Sequence, residues 1–230
     1  MTTLAHLDTK TGEGLVIPET PDLTRLRRDT GTRLRAAMAE RGVDAMILLG
    51  NNAVVYATGA SWPLGDAGLS YVERPVAVVL ADDEWPHLFL PFREGAAHES
   101  DLPADHLHGP VYLEFDEGVA AFARTVADLI PANAVIAVDE CTGAMSRAAA
   151  TLFPRGAPVD AAAIVGAAKA VKTPDELSCI RTAIRITDEA MVEVQKRLAP
   201  VSAKSTCRQA FCGAPSSWAP RPACWNRSGR

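Results

Sequence analysis

The chain has 230 residues, 48% of them hydrophobic and 22% charged, with a formal net charge of −5 and five cysteines. That profile is globular and long enough for one ordinary domain with a buried core and the beginning of a second. No apolar run approaches the ~20 residues of a membrane-spanning helix, and Met1 to Pro18 lacks the basic and apolar stretches of a secretory leader. A cytoplasmic protein with no membrane partner is therefore expected.

Charge is unevenly placed. Residues 1–193 carry all 28 acidic side chains and 16 of the 23 basic ones. From Val194 to Arg230 there are seven basic residues and no Asp, Glu or His. Folded domains normally mix charge signs over their surface, so the shift marks a segment of different origin. Cys207, Cys212 and Cys224 lie there without a nearby fourth Cys or His, which argues against a zinc knuckle. No nucleic-acid-binding signature surrounds the basic residues, and no nucleic-acid partner is expected. Cys141 and Cys179, alone in the patterned body, provide no disulfide framework.

In chain order, residues 1–20 read as a loose arm broken by Gly12, Gly14 and Pro18. Leu26, Thr30, Leu34 and Met38 recur on one face and predict a helix from Leu23 that Gly42 ends. Asp44 to Leu49 reads as a buried strand, and Asn51 and Asn52 as caps of a short helix ending at Gly59. Pro75–Ala81 and His87–Leu90 read as strands joined by Asp82-Asp83-Glu84. Further strands are expected at Val111–Phe115 and Ala134–Val138, with helices at Glu117–Ile130 and Thr142–Phe153, and Val159 begins the exit from this unit. Alternating strands and helices with one hairpin imply an α/β fold with a mixed sheet. A second unit starts at Lys172-Thr173-Pro174-Asp175-Glu176, where Thr173 suits an N-cap and the acids complement the helix dipole. Leu177, Ile180, Ile184, Met191, Val194 and Leu198 stripe the helix that follows.

Two segments carry a family resemblance. Val171 to Met191, V-K-T-P-D-E-L-x-x-I-R-x-A-x-x-I-T-D-E-A-M, resembles the junction helix of the pita-bread hydrolases: creatinase, prolidase, aminopeptidase P and ectoine hydrolases. Gly50 to Gly59, ending Tyr56-Ala57-Thr58-Gly59, resembles a signature of their N-terminal domain, with Ala53 where that pattern usually has Asn. The resemblance implies a creatinase-type N-terminal domain at 21–170, a mixed β-sheet flanked by helices, then the first helix of a truncated catalytic domain at 171–199. It also implies that the intact parent hydrolyses a C–N bond in an Xaa-Pro peptide or a small amidino or acylamino compound. The family's peptidases bind two divalent metals through two Asp, one His and two Glu of the catalytic domain, and creatinase uses a catalytic His there instead. After Glu193 this chain has no such side chain. No catalytic residue, no metal ligand and no cofactor is therefore expected in this chain, and it is expected to be inactive alone.

The tail at 200–230 has a reading of its own. Taking the third base of each codon with the first two of the next forces a leucine across Phe211-Cys212, a glycine across Trp218-Ala219, a leucine across Cys224-Trp225 and a glutamate across Trp225-Asn226. The permitted string is helix-like and resembles the family's next helix, so a one-base frameshift near Pro200 is expected.

Among remaining candidates, the Gly/Pro-containing loop with Trp62, Asp66, Tyr71, Glu73 and Arg74 combines aromatic and charged groups and is a candidate recognition loop. His98-Glu99-x-Asp101 and Asp105-His106-x-His108 crowd potential ligands, but Pro103, Gly109 and Pro110 favour a solvated loop. Asp139-Glu140-Cys141 follows a strand where α/β sites sit, with Cys141 read as a buried structural cysteine. The arginines of the first helix read as a solvated face. The stripe of the helix at 173–198 predicts a homodimer or other self-association through that helix. The alternative is a stand-alone binding module, an architecture similar to the peptide-binding part of a histone-chaperone subunit.

Overall fold

The computed structural model describes residues 20–60, 74–91 and 101–197. Residues 23–173 form one compact unit, and the helix beginning at Pro174 belongs to another. The first unit is a six-stranded mixed sheet among the described residues, assembled from strands β1 (Ala45–Leu48), β2 (Val76–Leu80), β3 (His87–Phe89), β4 (Leu107–His108), β5 (Ile136–Val138) and β6 (Val159–Asp160). Their spatial order is β4-β3-β2-β1-β5-β6. Only β2 runs against its neighbours; β1–β5, β5–β6 and β3–β4 are parallel.

β1 and β2 read as unbroken apolar runs because every residue in them is buried, one face under each layer of helices. On one side Ile47, Val78 and Phe89 pack with Val119, Phe122 and Val126 of helix α3 (Asp116–Ala127) and with Met145 and Leu152 of the short helices α4 (Gly143–Arg147) and α5 (Ala149–Leu152). Phe89 meets Phe122 edge-on with centroids 5.1 Å apart, the favoured aromatic geometry. On the other side Met46, Leu48, Ala77 and Leu88 pack with Leu34 and Met38 of helix α1 (Leu23–Glu40), Val54 of α2 (Asn51–Thr58), and Ile164 and Val165 of α6 (Ala161–Ala170). Gly42 and Gly59 follow α1 and α2 at φ 61° and 63°, a left-handed conformation that a side chain disfavours.

The elements depart from the sequence reading in several places. Val111–Phe115 is a turn rather than a strand, with Phe115 N–H donating to Tyr112 O at 3.2 Å; its apolar residues are there because Leu113 plugs the core at 1% exposure. The strand lies earlier, at Leu107–His108, inside the segment read as a loop. The expected helix Thr142–Phe153 is interrupted at Ala148, whose φ −92° and ψ 12° lie outside the α region; Thr142 does cap it, accepting from Met145 N–H at 3.1 Å. Helix α6 has no counterpart among the expected elements, because its alanine-rich sequence shows little polar contrast, although Asp160 caps it through Ala162 N–H at 2.8 Å.

In the second unit, helix α7 spans Pro174–Arg197, with Asp175 and Glu176 in its first turn. Asp175 Oδ1 accepts Asp22 N–H at 3.0 Å. Ser178, Thr182 and Ala190 are buried, whereas Leu177, Ile180, Ile184, Met191 and Val192 are exposed. The tail at 200–230 and Leu198 lie outside the described residues.

Candidate functional site

β1 exits into α2 and thence to β2 on one side, while its parallel neighbour β5 exits toward β6 on the other. Chains leaving adjacent strands in opposite directions open a crevice at the strands' carboxyl ends, the usual site position in α/β sheets. Here that crevice has a volume of about 470 Å³ and is lined by Gly50, Asn51, Asn52, Asp139, Glu140 and Lys169.

Asp139 is the hinge pin of this edge. Its Oδ1 accepts Leu49 N–H at 2.8 Å and its Oδ2 accepts Gly50 N–H at 2.9 Å, so one carboxylate joins the exits of β1 and β5. A Cβ at Gly50 would lie 2.9 Å from Asp139 Oδ2, so a larger residue there would push the carboxylate away from these amides. This also corrects the expected caps of α2: the N-cap is Gly50, which has no side chain to offer, and Asn51 and Asn52 lie inside the helix. With both oxygens engaged by backbone donors, Asp139 positions the edge rather than acting as a base.

Of the candidate recognition loop, Trp62, Asp66, Tyr71 and Glu73 lie outside the described residues. Arg74 is described and is brought to this edge. Its guanidinium reaches Glu140 Oε2 at 2.8 Å and Glu114 Oε1 at 2.7 Å, leaving it 13% exposed. The loop's last residue is thus tied to the segment after β5. Lys169 donates to Asn52 O at 3.1 Å and sits 4.9 Å over the Tyr56 ring; Tyr56 donates to Ala168 O at 3.1 Å. Among the described residues the edge therefore offers polar and charged groups for binding, without a paired nucleophile and base. Cys141 is exposed, not buried, with Sγ 3.4 Å from Ser146 Oγ. Glu114 and Lys169 are not among the residues the sequence singles out, because no local pattern marks them.

The arginines of α1 are largely engaged within the protein. Arg27 pairs with Asp101, Arg33 donates to Val171 O, and Arg35 donates to Glu84 O at 2.8 Å.

A second grouping lies at the β3–β4 end of the sheet. Pairing of Phe89 with His108 and Leu88 with Leu107 brings the segment read as a solvated loop against His87. The His87 and His106 rings stack at 4.2 Å and 7°, and His87 Nδ1 lies 3.1 Å from His108 Nε2. Asp83 Oδ2 is 3.7 Å from His87 Nε2 and 4.0 Å from His106 Nε2. Burial, then the neighbouring His106 and His108, hold the His87 pKa below 6.5, against a weaker upward pull from Asp83 and Asp105; burial, then His106, lowers that of His108. His98 and Glu99 lie outside the described residues.

Residues 32–171 match the Creatinase/Prolidase N-terminal domain. No curated protein matches the chain. Among solved structures it is similar to prolidase from Pyrococcus horikoshii OT3 (TM-score 0.55, 13% identity, 81% of this chain and 48% of that one). It is likewise similar to prolidase from Pyrococcus furiosus (0.55, 17%, 80% and 51%) and to recombinant prolidase from Thermococcus sibiricus (0.57, 14%, 86% and 50%). The chain spans about half the length of these prolidases. At such identities the structural likeness speaks for the fold, whereas the domain match extends over more than half of the sequence, and the chain therefore belongs to the creatinase/prolidase N-terminal domain family.

Proposed function

We propose that this chain is the N-terminal part of a cytoplasmic creatinase- or prolidase-type hydrolase and is inactive alone. Its parent would hydrolyse a C–N bond of an Xaa-Pro peptide or a small amidino or acylamino compound. The observation that carries this is the family domain running up to α7, followed after Glu193 by a sequence without a single Asp, Glu or His. The described residues do not fit the family's pair of metals. Among the described residues the sole convergent group of three or more His, Cys, Asp and Glu side chains is Asp83, His87 and His106. It has one carboxylate, whereas two bridged metals need several, so these side chains cannot assemble the two-metal centre.

In this reading the crevice edge, with Arg74 and the loop from Trp62 that ends there, contributes to a substrate wall rather than to bond breaking. The exposed stripe of α7 is the surface that a catalytic domain would cover, and without one it supports self-association. The basic tail fits an out-of-frame continuation after Pro200.

The test is turnover of Xaa-Pro dipeptides and of creatine by the purified chain with added Mn²⁺ or Co²⁺. No turnover is expected, and metal-dependent turnover that survives repurification would overturn the proposal. Resequencing the gene across codon 200 checks the tail: a shifted frame encoding further Asp, His and Glu is expected, and an intact frame with no such alternative would refute the frameshift.

A further inference from the structure

Asp83 lies within the β2–β3 connection and His87 opens β3, and His106 ends the short 3-10 turn Ala104–His106 that leads into β4. A carboxylate oxygen and one nitrogen of each imidazole lie within 4.8 Å of one another. Around a tetrahedral ion with bonds of about 2.1 Å, ligand atoms are roughly 3.4 Å apart. The 3.7 and 4.0 Å to Asp83 Oδ2 are close to that spacing, whereas the His87 and His106 rings, stacked at 4.2 Å and 7°, must turn out of parallel so that a lone pair of each meets the ion. Neither distance is a hydrogen bond, so the three groups converge without satisfying one another.

His106, 13% exposed and stacked on His87 at 4.2 Å, turns Nε2 toward Asp83, and its Nδ1 is buried with no hydrogen-bond partner among the described residues. The surroundings of His87 match a metal site in one further respect. His87, 6% exposed, has its Nδ1 against His108 Nε2 at 3.1 Å. A ligating histidine usually has its second nitrogen fixed in this way, which sets the tautomer and leaves the other lone pair for the ion. His108 is itself held, its ring stacked at 4.5 Å on the buried Phe89.

We propose that Asp83, His87 and His106 form a Zn²⁺ site, with His108 as the residue that orients His87. Two imidazoles and one carboxylate suit zinc, and water would complete four-coordination. The ion would clamp the β2–β3 hairpin to β4, reinforcing the two-residue strand pairing between them. This role is structural and separate from the parent's catalysis, so it stands whether or not the chain is inactive.

The test uses the full, untagged, metal-stripped chain titrated with Co²⁺ as an optical probe and then with Zn²⁺. One Co²⁺ per chain with tetrahedral d–d absorption, displaced by Zn²⁺, is expected. Zn²⁺ should raise the melting temperature, as any ligand that prefers the folded state does. Asp83→Asn, which keeps an oxygen for the Trp85 N–H that Asp83 accepts, should weaken binding at least about tenfold, as should His106→Gln. Changing Cys207, Cys212 and Cys224 together to Ser should leave binding unaltered. Ring NMR signals of the unmutated protein provide a readout independent of the variants: Zn²⁺ should shift three of the five histidines and spare His6 and His98. Absence of binding in large metal excess, wild-type affinity in both ligand variants, loss of binding in the cysteine variant, or shifts confined to His6 and His98 would each overturn the site.

Discussion

Replacing Asp139 by Ala removes the one carboxylate that joins the ends of β1 and β5. Two backbone donors lose their acceptor: Leu49 N–H, in a residue 1% exposed, and Gly50 N–H, in a half-buried residue that water can partly reach. Hydrogen bonds to charged groups contribute about 1.5–3 kcal/mol each, and a buried donor left unpaired forfeits its full desolvation penalty. Taking the lower end for Gly50 and the upper for Leu49 gives a loss of about 4–5 kcal/mol. For a protein of this size each kcal/mol lowers the melting temperature by about 2–4 °C, so a drop of about 10 °C or more is expected. Asp139→Asn keeps one acceptor and turns an NH2 toward the other donor, so it should fall between the two. Urea denaturation measures the free energies, and hydrogen exchange at the Leu49 amide tests the locality. An Asp139→Ala protein within about 0.5 kcal/mol of the parent, the margin of ordinary surface substitutions, would show that these donors have another acceptor and that Asp139 does not join the strands.

Gly118→Ala should be more damaging than an ordinary helix substitution, because the added Cβ would clash with the Tyr112 carbonyl oxygen; soluble yield and urea midpoint report it, and a parent-like midpoint would refute the close approach. In chelator-treated protein, His87 and His108 should make stability fall with acid. Their folded pKa values lie below 6.5, so the unfolded chain binds protons more readily, and stability is complete above 6.5 and declines as the pH drops below it. Comparing urea midpoints of the parent and His108→Gln between about pH 7.5 and 5.5, values chosen to bracket about 6.5, should show a shallower decline in the variant. Changing Ile184 and Met191 together to Lys, at positions 53% and 55% exposed, should reduce light scattering and hydrophobic-dye binding without altering the melting of the first unit. Melting of that unit in the double variant would mean instead that the stripe supports its core.

How much of the fold is legible in the chain follows from how local each signal is. β1 and β2 announce themselves as unbroken apolar runs, since burial on both faces removes any need for polar alternation. The start of α7 is written in Thr173-Pro174-Asp175-Glu176, and Gly42 and Gly59 mark helix ends through their backbone freedom alone. With the family resemblance these are enough for the fold class. β4 is not legible: two residues between a turn and Gly109-Pro110 become a strand only because β3 lies alongside with donors and acceptors to satisfy. The same pairing carries His106 to His87 and Asp83, which no spacing rule connects. Asp139 reads locally as an acid after a strand, and it becomes a clamp because β5 lies parallel to β1 in register Ile47 with Val138, putting its carboxylate beside the Leu49 and Gly50 amides. Patterns within one segment are set by that segment's own burial and backbone preferences; contacts between segments depend on which strands become neighbours, a choice made only when the whole core is packed.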